Sequence, residues 1–143
     1  MAALSRPELS GTTATLAAGD LALITGFVAF GMTRHGGSPT DLPALGDTLA
    51  PFLIGWTVAS ILLGVYVRSG LQSPAVRGGR TAAAWVLAAL LALGLRSTAM
   101  FGGGFDVAFL LVALLVGGTL LTGWRVALAP RVVGVNRSVG TTQ

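Results

Sequence analysis

Four long runs of apolar residues alternate along the chain with short polar, glycine-bearing segments. The clearest is Thr48 to Val67, "TLAPFLIGWTVASILLGVYV", 20 residues without a charge. An α-helix rises about 1.5 Å per residue, so roughly 20 residues cross a hydrocarbon core of about 30 Å. The run predicts a membrane-spanning helix, with Asp47 capping its start and Pro51 in the first turn, where a missing N–H costs little. Val107 to Trp124 holds 18 uncharged residues between Asp106 and Arg125. There Asp106 is the expected N-cap and Arg125 a terminus whose long side chain snorkels. A third helix is expected from Thr81 to about Phe101, with Arg96 near its end, and a first from about Thr13 to Thr33, with Asp20 inside it.

The connections are short, so consecutive helices are expected to lie antiparallel as neighbours. The predicted fold is all-α: one integral membrane domain, a four-helix bundle running up-down-up-down. Its spans are about 13–33, 48–67, 81–101 and 107–127, with flexible tails at 1–12 and 129–143. Small residues recur at every fourth position: Ala84, Ala88 and Ala92, then Gly55 and Ala59, then Ala113 and Gly117. Such ridges let helix backbones approach closely in lipid.

Composition agrees with this pattern. Only 10% of the 143 residues are charged and 53% are hydrophobic, with a mean hydropathy of +0.81. A soluble domain carries about 25% charged residues. The nine basic residues are all arginine. Arg6, Arg68, Arg77, Arg80, Arg125, Arg131 and Arg137 fall on one side of the expected membrane, Arg34 and Arg96 on the other. The positive-inside rule then puts both termini in the cytoplasm, with the plasma membrane as the expected location. The N-terminal run has Asp20 inside it and no clear cleavage site, so it is expected to remain as the first span. Although the net charge is +4, the arginines stand singly at helix ends. Nucleic-acid binding, which needs clustered cations, is not expected.

Charges within the spans are the candidate chemistry. From Asp20 to Thr33 is only about 20 Å of helix, too short to cross the core. Uncharged residues precede Asp20, whereas "GGSP" follows His35, so Asp20 is the group expected to lie in the membrane. It should sit roughly 9 Å from the inner boundary, and Arg96 roughly 6 Å from the outer one. Arg125, reaching up from the fourth helix, is the expected partner of Asp20. For Arg96 the candidates are Asp106, Asp47 and Asp41. An ionisable residue in a bilayer costs at least ~2.5–3.5 kcal/mol and turns toward protein or water. Two readings stay open: an ion pair clamping helices, or a carboxylate that handles protons or ions. Trp56, about three turns in, is a candidate core or cavity residue beside Asp20, Arg96 and Arg125. Trp85 and Trp124 suit the inner aromatic belt. Arg34, His35 and Asp106 form a candidate site at the outer mouth, His35 being able to titrate near neutral pH or to stand as a solvated loop residue.

No HExxH, GxSxG or phosphate-loop motif is present, and the chain lacks cysteine. No enzyme activity, metal or cofactor is expected. Four signatures follow one another in order: Asp20 with "GMTRHG" (31–36), "PFLIGW" (51–56), Gly94-Leu95-Arg96 and Gly123-Trp124-Arg125. In order and spacing they resemble the prokaryotic membrane family catalogued as domain of unknown function three-zero-five-four, over about residues 15 to 128. In that family basic residues directly follow the Gly of the first motif; here Met32 and Thr33 hold those positions and the base is Arg34. The resemblance implies four spans and no particular activity. Two functions compete. One is a small homo-oligomeric transporter or channel for an ion or solute. The other is a structural or accessory subunit of a larger membrane complex, or a protein binding lipid or pigment. The bilayer is the expected partner in both.

Overall fold

The computed structural model describes residues 10–67 and 73–131, and within them the chain is all-helical. Helix α1 spans Gly11–Arg34, α2 Leu42–Leu62, α3 Pro74–Arg96 and α4 Val107–Arg131. All four are long and apolar enough to cross a membrane. Arg6, Arg68 and Arg137, part of the charge asymmetry, lie outside the described residues, as do positions 1–9 and 132–143 of the expected tails.

Each helix starts on a polar side chain that accepts a backbone N–H: Ser10 from Thr13, Asp41 from Ala44, Ser73 from Val76, and Asp106 from Ala108 and Phe109. Such caps satisfy amides that have no partner inside the helix. Asp106 is thus the N-cap expected of it. Asp47 is not: α2 begins at Leu42, and Asp47 is an exposed residue of its second turn. Pro51 accordingly lies inside α2 and is buried, rather than in a first turn. Helix α3 begins seven residues before Thr81 and ends at Arg96, before Phe101. The common reason is that charges mark where a helix leaves hydrocarbon, while backbone hydrogen bonding continues into the polar zone until a cap or a glycine ends it.

Two of those endings are set by glycine. After α1, Gly36 takes φ +79°, and the N–H of Gly37 bonds the Met32 carbonyl at 2.8 Å. After α2, Gly64 takes φ +61°; its N–H bonds the Ile61 carbonyl at 3.2 Å, and that of Val65 bonds Ser60 at 2.9 Å. This pair of bonds is a Schellman closure, which needs a left-handed residue that only glycine adopts cheaply. It stops α2 five residues short of Val67 and turns Tyr66 back toward the bundle.

Helix α3 is the most buried of the four and α4 the least. α3 packs on α2 along one side and on α4 along another, while α1 packs on α2. The small-residue ridges make these contacts possible. A Cβ on Gly55 would stand 2.5 Å from the Ala88 carbonyl oxygen, and one on Gly117 would stand 2.4 Å from the Trp85 ring. Between the helices lies an aromatic cluster. Phe52 stacks on Trp85 at 6.0 Å, Phe27 meets both edge-on at 6.1 Å, and Phe109 and Trp56 extend the group. Trp85 is therefore a core residue and not a belt aromatic: it is 1% exposed. The glycine at 117 and the alanines of α3 leave a space that a large flat side chain fills.

Helix α4 carries two π turns, Ala113–Gly117 and Trp124–Leu128. In each, a backbone carbonyl accepts a side chain of α3. Trp85 Nε1 donates to Ala113 at 2.7 Å, and Arg77 Nη1 donates to Arg125 at 3.2 Å. A π turn shifts the helical register by one residue, and outside donors stabilise the carbonyls it displaces.

Candidate functional site

The ionisable candidate residues fall into two groups, one buried near the base of the bundle, where α1 and α3 begin, and one at the mouth, where they end.

The buried group is built on Asp20. It lies nine residues into α1, roughly 14 Å from the helix start, and is fully buried. Arg125 of α4, also fully buried, donates from Nε to Asp20 Oδ1 at 3.0 Å and from Nη2 to Oδ2. Tyr66 adds its hydroxyl, donating to Oδ2 at 2.5 Å, and accepts in turn from Trp56 Nε1 at 3.1 Å. The Arg125 guanidinium lies over the Tyr66 ring at 4.8 Å. A carboxylate with three donors and a cation beside it needs no water. Burial, then the neighbouring Asp20 carboxylate, push the Tyr66 phenol above its ordinary range, so it serves as a donor. Gly19 allows this approach of α1 and α4, because a Cβ there would stand 2.2 Å from the Trp124 ring. Two buried donors, Arg125 Nη1 and Trp124 Nε1, have no hydrogen-bond partner among the described residues.

Tyr66 escaped the sequence reading, which placed it within an unbroken second span. Gly64 before the only tyrosine of the chain was the available signal. Trp124, expected in a belt, is half-buried against Gly19.

The mouth group surrounds a cleft of about 620 Å³ lined by residues of all four helices and of the loops after α1 and before α4. Arg34, His35, Arg96 and Asp106 all border it, above walls that include Phe27, Phe30, Val112 and Val116. Arg96 thus belongs with the mouth residues and not with Asp20. None of Asp41, Asp47 and Asp106 pairs with it among the described residues; its guanidinium lies over the Phe109 ring at 5.7 Å. Asp106 instead has Oδ1 committed to the amides of Ala108 and Phe109, because an N-cap carboxylate serves backbone donors first. Arg34 lies over Phe30 at 5.9 Å. His35 is exposed as the residue that closes α1.

The two groups are separated by the aromatic cluster. Phe27 and Phe109 belong both to the cleft wall and to that cluster, and Trp56 at its other end contacts Tyr66. Among the described residues no three His, Asp or Glu side chains gather as metal ligands would.

A family model described as "Protein of unknown function (DUF3054)" matches residues 17–128. The chain belongs to DUF3054. The matched DUF3054 region runs from the first turns of α1 nearly to the end of α4, and so contains both groups of ionisable residues. Neither the curated proteins nor the solved structures contain a significant match to the chain.

Proposed function

We propose that this DUF3054 protein is a non-catalytic component of the prokaryotic plasma membrane that binds a small amphiphilic molecule in the mouth cleft. The cleft carries the reading. It joins apolar walls to a polar rim, falls within the range of roughly 300–1,000 Å³ usual for small-molecule sites, and lies along α1 and α4, where Phe30 is 64% exposed. α1 approaches α4 chiefly over the inner part of that helix, from Ala113 to Gly123, which leaves the seam above it open sideways. A hydrocarbon chain can enter there from the bilayer while a polar head stays at the rim. Such a protein acts alone, as a homo-oligomer or as an accessory subunit of a larger membrane complex.

Mass spectrometry of the intact protein released from mild detergent tests this. The wild type should retain one amphiphile per chain. Gly31→Leu should lose it, because Gly31 borders the cleft and its Cβ position faces open space. Retention unchanged in Gly31→Leu would refute the cleft as the site.

Transport of an ion or small solute is a second reading, favoured by the two π turns of α4, a device frequent at functional sites, and by the charged pair inside the membrane. The Asp20 pair is fully buried and the aromatic cluster packs between the helices. A route would therefore run between copies or through a rearranged bundle. Flux into liposomes that Asp20→Asn abolishes, with the variant still folded, would favour transport over binding.

A further inference from the structure

Resting on the cleft as a binding site, we infer that its occupant is an anionic lipid whose phosphate headgroup is held by Arg34 and Arg96.

The charges at the rim are unequal. Four titratable groups border the cleft: Arg34, His35, Arg96 and Asp106. Asp106 is the one carboxylate, and its Oδ1 is already taken by two backbone amides of α4. Neither arginine has a carboxylate partner among the described residues. Arg96, half-buried and without a carboxylate partner among the described residues, favours an anion, and exposed Arg34 adds a second positive charge at the rim.

Both guanidinium groups are also positioned. Each lies over an aromatic ring of the cleft wall, Arg34 over Phe30 and Arg96 over Phe109. A cation–π contact favours each guanidinium at that place in the wall, and a guanidinium carries the fork of N–H donors with which arginine recognises phosphate. Arg96 is further confined by its loop. The N–H groups of Gly103 and Gly104 both bond the Arg96 carbonyl at 3.0 Å, and a Cβ on Gly103 would stand 2.5 Å from Nη2. Those two amides are consumed, so recognition rests on the side chains. Beneath the arginines the walls turn apolar within the same cleft. A free phosphate has no use for Phe27, Phe30, Val112 and Val116; an acyl chain does. Guanidinium groups above an apolar wall match a charged headgroup above its acyl chains.

Purified full-length protein in mild detergent, given equal amounts of phosphatidic acid and phosphatidylcholine of identical chains, tests the inference by intact-protein mass spectrometry. The wild type should retain phosphatidic acid about ten-fold over phosphatidylcholine, one charged hydrogen bond's worth of selectivity. Arg96→Gln should reduce the preference to about two-fold, and Arg34→Gln with Arg96→Gln should remove it, while Arg96→Lys, which keeps the charge without the planar fork, should fall between wild type and Arg96→Gln. The melting temperature of each variant without lipid verifies folding. Equal retention of the two lipids by the wild type, or a preference unchanged in the double variant, overturns the headgroup assignment and leaves an unselective cleft. Retention of neither lipid removes the amphiphile reading itself. Inorganic phosphate that binds alone, with the same arginine dependence and no lipid retained, overturns the lipid as source.

Discussion

Arg125 grips Asp20 side-on: Nε meets Oδ1 at 3.0 Å, Nη2 meets the second oxygen, and both side chains are fully buried. They are 105 residues apart, on the first helix and the last. The pair therefore fixes how α4 closes onto α1, a contact for which α1 offers few other groups.

Breaking one half of that pair should destabilise the base of the bundle. Asp20→Asn or Arg125→Met leaves a buried charge uncompensated, which costs about 3–5 kcal/mol. Replacing both, Asp20→Leu with Arg125→Met, should recover much of the loss, because the second charge no longer needs a partner. Unfolding by denaturant in detergent micelles measures all three. Additive losses in the double variant would mean that the two residues do not act as a pair.

The single tyrosine makes a pH effect directly visible. Burial and Asp20 raise the Tyr66 phenol, whereas in an unfolded chain it titrates near 10. Its contribution to stability is thus fully present below about pH 10. Above that pH the unfolded chain loses the proton first, and stability falls until the folded phenol ionises too. Absorbance near the phenolate band should show a midpoint near 10 in denaturant and no ionisation at that pH in the folded protein. Tyr66→Phe should remove the alkaline loss.

Glycines should respond according to what faces them. Gly117→Ala places a Cβ 2.4 Å from the Trp85 ring, and Gly55→Ala one 2.5 Å from the Ala88 carbonyl oxygen. Each should cost about 1–3 kcal/mol as an overpacked contact. Gly26→Ala, which meets nothing within 4 Å, should be neutral or slightly stabilising. Thermal melting in one detergent compares the three.

Gly103→Ala should separate stability from binding. Its Cβ would stand 2.5 Å from Arg96 Nη2, the movable end of a flexible side chain, so the fold should absorb it within about 0.5 kcal/mol. Retention of phosphatidic acid should nevertheless fall by about three-fold, as Arg96 leaves its place over Phe109. Melting temperature and lipid retention, measured on the same sample, should move independently.

Hydropathy alone determined that four helices are long and apolar enough to cross a membrane, because a nearly uncharged run of about 20 residues matches the hydrocarbon thickness when helical. It also singled out Asp20 as the charge inside and Arg125 as the group able to reach it, since helix length and side-chain reach are local quantities. The ends of α2 and α3 were less legible. They depend on Asp41, Gly64 and Ser73, whereas charge marks only the edge of the hydrocarbon. What the tertiary structure decided was which distant residues meet. Tyr66 reaches Asp20 only because the closure at Gly64 turns the chain back. Arg96 borders one cleft with Arg34, His35 and Asp106 because the ends of α1 and α3 and the start of α4 come to it. Such meetings depend on three-dimensional packing, in which a glycine opposite a tryptophan sets the spacing of two helices, and no pattern along one dimension encodes it.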